Sequence, residues 1–156
     1  MQSLHTKPKL VFSPRFLLKR IPFYPILFSI YPGLTLAAHN LSEIEAIGAL
    51  RTVLVSFLLG CITLITARWL LKDWLKAAGV TTLGLVLFFS YGHLYHFLEL
   101  NPIGALNLGR HRILIFVFIV LLIIGVWLLT RKIKDLVPLT QALNAASIVL
   151  IIMPLI

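Results

Sequence analysis

The chain has 156 residues, 60% hydrophobic and only 12% charged, about half the charge of a soluble domain of this size. That excludes an ordinary soluble enzyme and indicates a polytopic membrane protein, an all-α transmembrane bundle of about five spans. The net charge is +9, but the basic residues cluster between apolar runs, which fits membrane topology and not a nucleic-acid surface.

Residues 1–20 carry Lys7, Lys9, Arg15, Lys19 and Arg20 and no acid. This predicts a basic cytoplasmic arm against anionic lipid headgroups. The remainder, 21–156, reads as one transmembrane domain. Its first run spans 21–38. Pro22 and Pro25 fall in the opening turns, where missing N–H groups cost little. Pro32 lies inside and predicts a kink near Phe28–Tyr31. A cleaved signal peptide is the competing reading. The arm and Thr35-Leu36-Ala37-Ala38 suit it, whereas the prolines, Tyr24, Tyr31 and the length of the arm argue against it.

Ser42 and Glu45 match a capping box, with Glu43 in the favourable first turn. The helix they start should run through the second span, 50–71. Thr52, Ser56, Gly60, Thr63 and Ala67 form a stripe of small residues along it, suited to close approach of another helix. Cys61, the single cysteine, sits in this run, so no intrachain disulfide or Cys-based metal motif exists. The connector from Arg68 to Lys76 is basic, with Trp69 and Trp74 as interface anchors. Asp73 there, like Asp135 later, reads as an ordinary charge partner.

The third span, 77–97, has Ala77, Thr81 and Gly84 as its small seam. It ends in Phe88-Phe89-Ser90-Tyr91-Gly92-His93-Leu94-Tyr95-His96-Phe97-Leu98-Glu99, where the apolar monotony breaks. Helical spacing puts Tyr91 and Tyr95 on one face, and His96 with Glu99. Ionisable groups near a membrane are functional candidates and also ordinary interface anchors. A polar connection follows, with an Asn101-Pro102 turn signal and Arg110, His111 and Arg112. The fourth span, 113–130, is almost wholly apolar and should face lipid widely. Pro138 can open the fifth, 137–156, which is long enough as a helix to cross.

Counting Lys and Arg orients the chain. The arm and the second and fourth connectors carry eleven, against three (Arg51, Arg110, Arg112) on alternate sides. The N-terminus should be cytoplasmic and the C-terminus extracytoplasmic, in a bacterial plasma membrane. Trp69, Trp74 and Trp127 then fall near the inner interface.

That topology gathers an outer polar cluster of His39, Asn40, Tyr91, His93, His96, Glu99, Arg110, His111 and Arg112. The residue types favour plain interfacial anchoring and loop hydrogen bonds. A second reading is a contact surface for an external partner, with Arg110 and Arg112 suited to phosphate or carboxylate. A third is a metal site of His93, His96 and Glu99 with His39 or His111, although the metalloprotease spacing is absent. No phosphate-cradling glycine loop or nucleophile elbow occurs. No catalytic, cofactor-binding or metal residue is therefore assigned, and no cofactor is expected.

Ala38-His39-Asn40, Phe88-Phe89-Ser90-Tyr91-Gly92-His93 and Leu108-Gly109-Arg110-His111-Arg112 are, in order and spacing, similar to the N-terminal membrane region of bacterial sulfatase-like proteins of the alkaline-phosphatase superfamily. The resemblance covers nearly the whole chain. It implies a membrane anchor, non-catalytic by itself, for an external catalytic domain. Cys61 is followed by Ile-Thr-Leu-Ile, not by the Pro and Arg of a sulfatase nucleophile motif, so no catalytic residue carries over. The run ending in Met153-Pro154-Leu155-Ile156 lacks an aromatic or basic anchor, and a continuation into that external domain is expected. The alternative is a small transporter or channel subunit, which would show buried polar groups facing one another near the midplane.

Overall fold

A computed structural model describes residues 21–39, 46–101 and 111–155. The basic arm, Asn40, the Ser42/Glu45 capping box and Arg110 lie outside them. The elements are α1 (Tyr24–His39), α2 (Ala46–Leu71), α3 (Trp74–Leu100), α4 (His111–Trp127) and α5 (Val137–Ile152). A π-helical turn, Leu128–Lys132, extends α4, and a 3-10 turn, Met153–Leu155, ends α5. No strand occurs among the described residues, so the fold is an all-helical bundle.

Three segments are long and apolar enough to cross a membrane: Ile47–Leu71, Trp74–Leu100 and His111–Lys132, with mean hydropathies of 2.0, 1.4 and 3.2. The two outer helices are shorter, with 16 residues each. At 1.5 Å per residue each is about 24 Å long, less than a hydrocarbon core of about 30 Å. The fifth helix was expected to continue to Ile156, but its regular part stops at Ile152. Pro154 has no N–H to donate back, and the chain tightens into the 3-10 turn there. α1 stays helical on both sides of Pro32.

The corner between α2 and α3 is two residues long. Lys72 takes a left-handed conformation (φ 55°) and donates its N–H to the Arg68 carbonyl at 2.9 Å, a common way to end a helix. Asp73 then caps α3, its Oδ1 accepting the N–H groups of Leu75 (2.9 Å) and Lys76 (3.1 Å). Asp135, one residue before the cap position of α5, accepts the Val137 N–H at 2.9 Å. Both acids thus act as helix starters, a role beyond the charge pairing expected of them. The basic groups beside them find other partners. Arg68 lies 5.3 Å over the Trp74 ring, and Lys76 Nζ donates to the Thr130 carbonyl at 3.1 Å.

α1 and α3 are the hubs. α1 packs against α2, α3 and α5, and α3 also receives α4. Contacts set the directions. A side-chain Cβ at Gly33 would meet Val53, and one at Gly60 would meet Ser29, so α1 and α2 are antiparallel. Gly79 faces Leu129 and Gly125 faces Leu83, so α3 and α4 are antiparallel too. α3 and α5 run parallel to α1: the Tyr24 hydroxyl lies near Gly79, early in α3, the Tyr24 N–H meets Asn144, midway along α5, and Leu150, later in α5, lines a cleft with later residues of α1. Among the described helices α4 touches only α3, and of its residues only Leu114 is buried, in keeping with wide lipid contact.

The core is small and polar. Ala77, Ala78, Ser29, Ser56, Thr81, Thr82, Thr140 and Ser147 are all buried. In a bilayer the surroundings are as apolar as leucine, so helices associate through close contact and hydrogen bonds, which favours such residues at interfaces. The stripe on α2 divides accordingly. Ser56 and Gly60 are buried, Gly60 lying against Ser29 of α1. Thr63 and Ala67 line a groove toward α3 and α4, and Thr52 is exposed. On α3, Ala77 and Thr81 are buried, whereas Gly84 opens onto empty space.

Candidate functional site

The polar residues near the C-terminal ends of α1 and α3 do not form one cluster. α3 separates them onto different faces. Tyr91 and Tyr95, four residues apart, point to α4 and enclose His111. The Tyr91 hydroxyl is 3.0 Å from His111 Nδ1. The Tyr95 ring stacks on the imidazole with centroids 4.0 Å apart and planes 8° apart. Tyr91 also meets Phe118 edge to face at 5.3 Å. This aromatic clasp fastens the start of α4 to α3. Tyr95 lay outside the expected cluster, although its spacing from Tyr91 places it on the same face.

His93 faces the other way, toward α1 and α5. With His39 it lines an open cleft of about 650 Å³. Phe28, Tyr31 and Pro32 of α1 form one wall, Val86, Phe89 and Ser90 of α3 another, and Leu150 of α5 closes it. His39 Nδ1 is held 2.9 Å from the Thr35 carbonyl, which fixes the ring and leaves Nε2 for a ligand. The Thr35 hydroxyl is buried and makes no hydrogen bond.

His96 and Glu99 are 3.9 Å apart with side chains 70% and 56% exposed. Such a pair contributes little, because water screens it and both side chains lose entropy. Arg112 is exposed. Among the described residues no three His, Cys, Asp or Glu side chains come together, since α3 holds His93 and His111 on different faces. Asn40 and Arg110 fall outside the described residues.

A second polar group, at the opposite end, was not singled out from the sequence. Asn144 of α5 accepts the Tyr24 N–H through Oδ1 at 3.1 Å and donates Nδ2 to the Ile21 carbonyl at 3.0 Å. Tyr24 opens α1, so its N–H has no partner within the helix. Asn144 caps α1 from a distant part of the chain. Ser147 donates to the Asn144 carbonyl at 2.9 Å. The Tyr24 side chain is buried beside Thr140, whose hydroxyl nevertheless falls short of hydrogen-bond geometry. An Asn inside the apolar fifth run was the available signal.

No protein-family model matches this chain, and no similar curated protein or solved structure was found.

Proposed function

We propose that the chain is a non-catalytic membrane domain of a bacterial plasma membrane, with five spans and a cytoplasmic N-terminus. Its role is to anchor an extracytoplasmic partner or catalytic domain of the sulfatase-like, alkaline-phosphatase type. The observation that carries the reading is where the polar groups go. No charged side chain is buried among the described residues, and the larger cavities lie between helices with mostly apolar walls. A solute pathway needs polar groups converging on a central cavity. Here Asn144, Ser29 and Ser147 spend their hydrogen bonds on backbone within the bundle, as in a packing domain. The Lys/Arg asymmetry supports the orientation, and the three sequence pieces quoted above support the type of partner.

The small-transporter alternative draws on one feature. Thr81, Thr82 and Thr140 bury hydroxyls that have no partner, and such groups can line a transient polar path.

Three measurements test the proposal. In a Cys61→Ser background, Glu43→Cys should react with an impermeant thiol reagent on intact cells and Lys134→Cys should not; the reverse pattern overturns the orientation. A photo-crosslinking residue at position 93 should capture an extracytoplasmic sulfatase-like or phosphatase-like domain in native membranes. Saturable solute flux through proteoliposomes of the chain, reduced by Thr82→Val, would overturn the anchor role.

A further inference from the structure

The cleft between α1, α3 and α5 has a direction. Because α1 and α3 run parallel, Phe28 and Val86 lie toward one end of the cleft. Thr35, Ser90, His39 and His93 lie toward the other. From Phe28 to His39 the groove follows α1 for about 16 Å at 1.5 Å per residue. One leaflet of a hydrocarbon core is about 15 Å deep. The groove therefore has the length of a single leaflet, apolar where acyl chains lie and polar where headgroups lie. Its volume of about 650 Å³ is that of a ligand site, on the order of 300–1,000 Å³. Two histidines line it and no carboxylate does, so no fixed negative charge opposes an anion there.

We propose that this groove holds one anionic phospholipid. An acyl chain lies along Phe28 and Val86. The phosphate sits between His39 and His93. The Thr35 carbonyl accepts the Nδ1–H of His39, so Nε2 donates to the phosphate as the imidazolium, the form that an adjacent anion favours. The proposal rests on the bundle lying in a bilayer and is independent of the anchoring role.

The test is native mass spectrometry of the purified chain, titrated with dioleoyl phosphatidylglycerol. Wild type should retain one tightly bound lipid, which millimolar inorganic phosphate does not displace. The double variant His39→Gln/His93→Gln should bind about tenfold more weakly, the loss expected for about two hydrogen bonds to a headgroup. Val86→Trp fills the groove and should abolish the tight site. Ser90→Phe is a second plug at an exposed position, used if Val86→Trp fails to fold. Leu54→Trp, on the exposed side of α2, should bind as wild type does. Circular dichroism and a single monodisperse species establish folding for each variant. Unchanged binding in a folded plug variant, or in the double histidine variant, overturns the proposal. So does displacement by inorganic phosphate, or a dimer that the plug dissociates, which would make a second copy the occupant. Retention of the chain in carbonate-washed membranes, measured in parallel, tests the bilayer reading by itself.

Discussion

Asn144 offers the sharpest test of how this bundle is held together. Replacing it with Ala removes both bonds that tie α5 to the start of α1. The Tyr24 N–H is then left buried without an acceptor, since Tyr24 is only 1% exposed. An orphaned buried backbone donor costs about 1–3 kcal/mol. The Ile21 carbonyl loses less, because Ile21 is 52% exposed and water or headgroups can replace the lost donor. Interhelical hydrogen bonds in membranes average about 0.6 kcal/mol and reach about 1.7, which restrains the total. We expect a loss of about 2 kcal/mol, roughly thirtyfold in the folding equilibrium. The assay is reversible unfolding in mixed micelles titrated with SDS, followed by circular dichroism. Asn144→Asp keeps the acceptor for Tyr24 N–H but sets an oxygen against the Ile21 carbonyl, and should destabilise at least as much. If Asn144→Ala stays within about 0.5 kcal/mol of wild type, the ordinary range for a surface change, the cap is not structural and the reasoning fails.

Thr140→Val, measured in the same way, should be neutral or stabilising by up to about 1 kcal/mol, because it removes a buried hydroxyl that has no partner while keeping the shape. Gly60→Leu should cost about 2 kcal/mol or more by forcing α1 and α2 apart, because even its Cβ would lie 2.6 Å from that of Ser29. Gly84→Ala, with nothing within 4 Å, should instead gain about 0.5–1 kcal/mol from helix propensity. Lys72→Gly should raise stability by about 1 kcal/mol, since Lys72 bears the left-handed conformation at the α2–α3 corner (φ 55°).

The helices themselves were legible because their causes are local. Uninterrupted apolar runs lead to helices where backbone groups must be satisfied within the segment, and Pro138 marked the start of α5. The ends were less legible. The Leu128–Lys132 π turn has no sequence signal in the apolar run, and Pro154 shortened α5 although hydropathy continued past it. Asp73 and Asp135 looked like charge partners because composition shows charge, whereas capping depends on which backbone N–H groups lie within reach.

The histidines show the boundary most clearly. Sequence alone determined that His39, His93, His96 and His111 belong to the ends of apolar runs, since that follows from counting residues along each run. Only the tertiary structure decided that α3 turns His93 toward α1 and α5 and keeps Tyr91 and Tyr95 on His111. Spacing fixes which residues share a helix face, but not which neighbour that face meets. The same holds for Asn144, whose partners Ile21 and Tyr24 lie more than a hundred residues away in the chain. Helix order around a bundle is set by the mutual fit of small residues such as Gly60 and Ser29. That fit is a property of pairs of surfaces brought together by folding, and no single run of sequence contains it.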